Sequence, residues 1–85
     1  MNDLDRAKVA DNFGDRLSNV LRLLNLKQRQ FADSVGVSVS TVNYWVHGYN
    51  TPLVSAFDRI AKAVGEQGAK YLSGKSDRPP APVLK

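Results

Sequence analysis

The chain has 85 residues, of which 42% are hydrophobic, and it carries a formal net charge of +4 without any cysteine. A chain of this length builds one core, and the missing thiols exclude disulfides and thiolate metal sites. No apolar run approaches the roughly 20 residues of a membrane span, and the N-terminus lacks the apolar stretch of a signal peptide. We therefore predict a single cytoplasmic domain without membrane contact. The positive charge is compatible with a polyanionic partner or with ordinary solubility charge.

Apolar periodicity predicts an all-α fold, a small domain of five helices. Their predicted ranges are about 12–25, 28–35, 39–47, 53–64 and 68–73. In the first helix apolar side chains recur at spacings of three and four, and Asn12 with Asp15 resembles a capping pair. Gly36, Gly48 and Gly65 are placed to end the second, third and fourth helices.

Two segments of different composition flank the predicted helical domain, which covers residues 13–75. The arm of residues 1–12 has a net charge of −1. The tail of residues 76–85 has three prolines in four positions and no periodicity, which predicts a disordered, solubilising segment. A peptide motif for a proline-binding partner is the alternative interpretation of the tail.

The second and third helices are joined by Gly-Val-Ser, a turn too short for an antiparallel pair, so they must cross steeply. This spacing is typical of a helix-turn-helix. On a helical wheel the third helix places one set of apolar side chains together, and these are Val42, Trp45 and Val46. The opposite side is polar, uncharged and mostly short, and it carries Ser40, Asn43, Tyr44 and His47. Such a face suits close approach to base edges in a major groove better than a solvated face rich in Lys and Glu.

The stretch "LKQRQFADSVGVSVSTVNYWVHGYNTP" resembles the lambda-repressor-like helix-turn-helix family, the Cro and repressor regulators of phages and bacteria. The matching features are Gln28, Phe31-Ala32, Gly36, Val37-Ser38, Ser40-Thr41-Val42, Trp45, Gly48 and Pro52. "DRIAKAVG" and "KYLSGK" are similar to the family's fourth helix and to the short fifth helix of Cro-type members, so the resemblance covers about residues 13–75.

The resemblance implies a sequence-specific DNA-binding transcriptional regulator, a Cro-like repressor. The residues that it implies for contacts with bases are Val39, Ser40, Asn43 and Tyr44. For contacts with phosphates it implies Gln28, flanked by Lys27 and Arg29. Ser38 and His47, at the two ends of the third helix, are further candidates for phosphate contacts. The DNA partner would be an operator with an inverted repeat, bound by a weak homodimer. Little other apolar material lies outside the predicted core, so the dimer interface is predicted at Tyr71, Leu72 and the loop after the fourth helix.

Three positions depart from the family's pattern. Lys27 stands where Ser or Thr is usual, so the second helix lacks its usual N-cap. Leu21 and Val46 stand where the family commonly pairs an Arg with a Glu, and an apolar pair avoids the desolvation of two charges. Arg16 and Arg22 are interpreted as a solvated face.

The sequence indicates no enzyme. One histidine, no cysteine and no Gly-rich phosphate loop leave nothing for catalysis, a metal or another cofactor, and we expect no small-molecule ligand. The alternative to DNA readout is a protein-interaction module on the same fold, antirepressor-like or antitoxin-like, for which the acidic arm is suited. A larger exposed apolar patch on the third helix would favour that alternative.

Overall fold

The structure, a computed structural model, describes residues 6–83, which fold into four helices. These are α1 (Phe13–Leu23), α2 (Gln28–Val35), α3 (Val39–Val46) and α4 (Val54–Ser73). The prediction of five helices is therefore wrong. The last two predicted helices are one kinked element, in which Gly65 leaves helical geometry (φ 85°, ψ 172°) and the helix resumes at once.

Helices α1 and α2 each pack on both α3 and α4, and the core lies between these four helices. The apolar stripe predicted for α1 is buried at Phe13, Leu17, Val20 and Leu21. Trp45 is also buried in the core, as its place on the wheel predicted. Burial of each large apolar side chain contributes about 1.5–3 kcal/mol to the free energy of folding. The buried side chains of the core are therefore the main source of the attraction between the helices. Within the described part of the chain, no helix combines the length and the apolarity that a bilayer span needs.

The N-cap predicted from the sequence is present at α3 but absent at α1. The Ser38 hydroxyl accepts from the backbone N–H of Thr41 at 3.1 Å, as an N-cap should. Asn12 precedes α1 without capping it, and its Oδ1 instead accepts from Arg16 Nε at 2.8 Å, so the predicted capping pair is wrong. At α2, a Lys ammonium offers no acceptor, and only the Gln30 side chain accepts from the Lys27 N–H, at 2.9 Å.

The segment before α1 runs along the loop that precedes α4. Arg6 pairs with Leu53 in an isolated β-bridge, and the Ala7 N–H donates to the Pro52 carbonyl at 3.1 Å. The Ala10 N–H donates to the Leu72 carbonyl at 2.9 Å, at the end of α4. The part of the predicted arm from residue 6 onward is thus attached to the domain, while residues 1–5 lie outside the described residues.

The C-terminal segment differs from the disorder expected of it. Residues 76–83 lie against α1 and α4, with Pro80 buried, while Leu84 and Lys85 lie outside the described residues. Gln67 Nε2 donates to the Arg78 carbonyl at 2.6 Å, and the Val83 N–H donates to the Leu23 carbonyl at 2.8 Å. The physical reason is that these hydrogen bonds, together with the Pro80 ring packed on α4 beside Gly68, hold a segment that has no periodicity of its own.

Arg16 fastens this tail. Its Nη1 donates to the carbonyls of Tyr71 and Ser76 at 2.8 and 2.9 Å, and its Nη2 pairs with Asp77 at 2.9 Å. Its guanidinium also lies 4.7 Å from the centroid of the Tyr71 ring. Arg16 is therefore a structural residue and not part of a solvated face. The carbonyl contacts matter more than the ion pair, because the Asp77 side chain is 95% exposed.

We expect Arg16→Ala to lower the free energy of unfolding by about 2 kcal/mol, since it leaves two part-buried carbonyls without their donor. Arg22→Ala, an exposed position on the same helix, is the matched control and should stay within about 0.5 kcal/mol. Urea denaturation of the three chains measures both values. Equal losses in the two variants would mean that the tail is not fastened by Arg16.

Candidate nucleic-acid interface

The turn between α2 and α3 is held by a left-handed glycine and by α4. Gly36 (φ 78°, ψ 33°) ends α2 and donates its N–H to the Ala32 carbonyl at 2.8 Å. Arg59 of α4 donates from Nε to the Val35 carbonyl at 2.6 Å, which satisfies an orphan carbonyl at the end of α2. The sequence did not point to Arg59, because nothing near it in the chain shows that it reaches another helix.

Helix α3 presents the predicted base-contact residues on its outer side. Val42 and Trp45 face the core and are buried, and Val46 is half-buried. Val39 is 40% exposed and Tyr44 50%, Ser40 is exposed and Asn43 is half-buried. Residues at these spacings share one helical face, so the four candidates line a single strip that begins at the helix N-terminus.

The predicted phosphate-contact residues lie at the starts of α2 and α3 and at the end of α3. Lys27 and Arg29 are exposed, and Gln28, the first residue of α2, is half-buried. Ser38 is exposed, but its hydroxyl oxygen is already used to cap α3. A helix start offers unpaired backbone N–H groups and a positive dipole end, so these positions suit an anion.

His47 has its tautomer fixed by the helix. Its Nδ1 lies 2.8 Å from the Asn43 carbonyl, and because a carbonyl only accepts, Nδ1 carries the proton. The hydrogen bond leaves Nε2 for a ligand. His47 also follows the last residue of α3 directly.

Tyr49 is the exposed residue that sequence reasoning missed. Gly48 (φ 77°) turns the chain, and the Tyr49 N–H donates to the Tyr44 carbonyl at 2.9 Å. Tyr49 is 72% exposed, and the centroid of its ring lies 5.8 Å from the ring centroids of both Tyr44 and His47. An aromatic residue straight after a helix-ending glycine was the available signal. The end of α3 therefore carries three clustered rings.

The outer strip carries no formal charge. Between Arg29 and Arg59 the sequence has no Lys or Arg, and Asp33 and Asp58 are the acidic residues there. Cations flank the strip at the start of α2 instead of lying on it. Among residues 6–83, no group of three or more His, Cys, Asp or Glu side chains is arranged to hold a metal ion.

The predicted dimer residues need a correction. Leu72 is fully buried in the core, one helical turn beyond the buried Gly68, so it offers no surface to a partner. Tyr71 is half-buried and is occupied by contacts with α1: the Arg16 guanidinium on its ring and Asn19 Nδ2, 3.2 Å from its hydroxyl.

Comparison with known proteins gives one match. A family model described as helix-turn-helix matches residues 17–68. No curated protein and no solved structure gave a match. The matched span exceeds half of the chain and contains α2, the Gly36 turn and α3. The chain therefore belongs to the lambda-repressor-like helix-turn-helix family, a family of DNA-binding regulators.

Proposed function

We propose that this protein is a Cro-like repressor that binds an inverted-repeat operator as a weak homodimer, with α3 in the major groove. The observation that carries the proposal is the uncharged outer strip of α3, where Val39, Ser40, Asn43 and Tyr44 share one face. Short polar side chains bond to base edges, and the Val39 methyl groups suit a thymine methyl.

Phosphate contacts in this proposal come from the start of α2. Lys27 and Arg29 are exposed there, and the first N–H groups of the helix add neutral donors. Such contacts hold a protein in register but carry no sequence information. The Tyr49 and His47 rings extend the same surface beyond α3, where hydroxyl and imidazole groups suit the sugar-phosphate backbone. The protein acts by binding in this proposal, without catalysis.

Selection of bound sequences from a random double-stranded DNA pool tests the proposal. The expected result is an enriched inverted repeat whose half-sites are centred one helical turn, roughly 34 Å, apart. Recovery of a single unrepeated site would support DNA readout and remove the symmetric operator. An absence of enrichment, together with no salt-dependent affinity for any duplex, would exclude a DNA-binding function.

The second candidate function is a protein-interaction module. Val39, Tyr44 and Tyr49 are large apolar or aromatic side chains exposed together along and after α3, which is more than the sequence indicated. Aromatic residues of this kind are enriched at protein interfaces. Under this function Tyr49→Ala would weaken a protein complex, whereas under the proposed function it weakens operator binding.

A further inference from the structure

Arg59 is the polar link between α4 and the turn that leads into α3. Its Nε donates to the carbonyl of Val35, the last residue of α2, at 2.6 Å. The base of its side chain is held in place, because Ala56 and Ile60 on the same stretch of α4 are buried in the core. The guanidinium therefore reaches the end of α2 from a firmly packed part of α4.

Arg59 contacts the turn on a side that is otherwise open. On the other side, the Ala32 carbonyl of α2 accepts from the N–H groups of Gly36 and Val37, at 2.8 and 3.0 Å. A Cβ built on Gly36 would lie 3.8 Å from Arg59 Nε and, apart from its chain neighbours, within 4 Å of no other atom of residues 6–83. Arg59 is thus what holds this side of the turn against α4.

Helix α3 depends on this turn for its position. It is only eight residues long and packs on α1 and α2, and residues 36–38 alone separate it from Val35. Ser38 caps α3, and Val39 is both its first residue and the start of the outer strip. A displacement of the Val35 carbonyl is therefore carried directly along the turn to the outer strip.

We propose that Arg59 is a positioning residue for sequence readout, because its hydrogen bond to the end of α2 fixes the orientation of α3 against the bases. This inference rests on the proposed function, in which the outer strip enters the major groove. A binding surface has to be held within roughly 0.5 Å and 10–20° of its productive geometry, so a small rotation of α3 weakens the base contacts.

The phosphate contacts should not depend on Arg59. In the proposed function they come from the start of α2, at Lys27, Gln28 and Arg29. The rise of an α-helix places Gln28 roughly 10 Å from Val35 along the axis of α2. Loss of the Arg59 contact should therefore weaken sequence readout and leave the binding of random DNA unchanged.

The hydrogen bond and the charge of Arg59 can be separated. The two ion pairs among residues 6–83 do not involve Arg59, so its polar contact in this part of the chain is the Val35 carbonyl. The positive charge also meets the negative end of the α2 dipole. Lys62, three residues further along α4, is an exposed cation on the same helix and serves as the control for charge alone.

Two substitutions of equal length make that separation. Arg59→Gln places an amide nitrogen the same number of bonds from the backbone as Nε, so it keeps a donor for Val35 and loses the charge. Arg59→Met is equally long but has no donor. Lys62→Met removes the same charge elsewhere on α4. Arg59 and Lys62 are both exposed, so all three variants should fold.

The measurement is the affinity of each chain for a duplex with one selected half-site and for random DNA, well below the midpoint of thermal unfolding. Arg59→Met should bind the half-site roughly tenfold more weakly than the native chain does, with the same affinity for random DNA, which is the scale of one lost base contact. Arg59→Gln should keep most of the ratio between the two affinities, and Lys62→Met should keep all of it. Arg59→Ala, which also lacks the donor, should repeat the result of Arg59→Met.

A purely structural role of Arg59 predicts a different outcome. Arg59→Met would then unfold at a lower temperature, yet its ratio of half-site to random affinity would equal that of the native chain, and the inference would be wrong. An equal loss in Arg59→Gln and Arg59→Met would also overturn it, because the hydrogen bond would not be the cause. In both cases the native chain still prefers the half-site, so the proposed function stands. A native chain without that preference would remove the proposed function, and the inference with it.

Discussion

Gly14→Ala should lower the free energy of unfolding by about 3 kcal/mol, although alanine is the better helix former. A Cβ built at Gly14 lies 2.5 Å from the Val46 carbonyl oxygen and 2.8 Å from that of Trp45. Both obstacles are backbone, so no side chain can turn aside, and α1 has to move away from the end of α3. The overlap should outweigh the gain in helix propensity, which is about 1 kcal/mol.

Ser18→Ala is the control for that substitution. Ser18 is exposed on α1 one turn further on, and the same new side chain meets no such contact there. It should stabilise the protein by a few tenths of a kcal/mol through propensity alone. Thermal unfolding followed by circular dichroism shows whether each substitution raises or lowers the stability of the protein. A stabilised Gly14→Ala variant would show that α1 and α3 are not in close contact.

Asn43→Ala should cost about 1–3 kcal/mol on the selected operator and little on random DNA. Asn43 lies in the middle of the outer strip, and its amide has a donor and an acceptor side by side, which suits a bidentate contact with adenine. The backbone carbonyl that binds His47 is unchanged by the substitution, so the end of α3 should keep its geometry. Titration of both duplexes at one salt concentration measures the difference.

Lys27→Ala is the matched variant for that measurement. Lys27 precedes α2 with an exposed ammonium group and should contact phosphate, so its removal should weaken binding to both duplexes equally. The slope of log affinity against log salt should become less steep by about 0.9 per subunit. Equal losses on both duplexes for Asn43→Ala as well would mean that α3 does not read the sequence.

The sequence was sufficient to predict the features of the structure that depend on residues close together in the chain. The stripe of α1, the left-handed end of α2 at Gly36 and the Ser38 cap of α3 are set by residues within one or two turns. The break at Gly65 was visible too, but the sequence does not show that the helix resumes directly after it. One glycine in an otherwise helical run produces a kink when both arms pack on the same core.

Contacts between residues far apart in the chain could not be predicted from the sequence. Arg16 reaches carbonyls 55 and 60 residues away, and Arg59 reaches Val35 across 24 residues. An arginine on a helical surface is usually solvated, so its pattern gives no sign of such partners. The tail was interpreted as disordered for a similar reason, since the burial of Pro80 depends on its contact with α4, which the sequence does not show.

The candidate nucleic-acid interface likewise has a part that the sequence predicts and a part that it does not. The outer strip followed from helical periodicity, because the buried Val42 and Trp45 fix which side of α3 is exposed. The cluster of Tyr44, His47 and Tyr49 required the turn at Gly48 to fold the chain back. The burial of Leu72 could not be predicted from its spacing to Val64, because the break at Gly65 lies between the two residues.

The separation of charge from the outer strip of α3 has a consequence for how an operator would be found. Under the proposed function, Lys27 and Arg29 contact the backbone of any duplex, while the strip adds no ionic contact of its own. Operator and random DNA should then lose affinity in parallel as salt rises, so the ratio between them stays constant. A subunit that binds phosphates through α2 can move along the duplex while α3 contacts successive base pairs. Changes in ionic strength would alter the speed of that search and leave its fidelity intact.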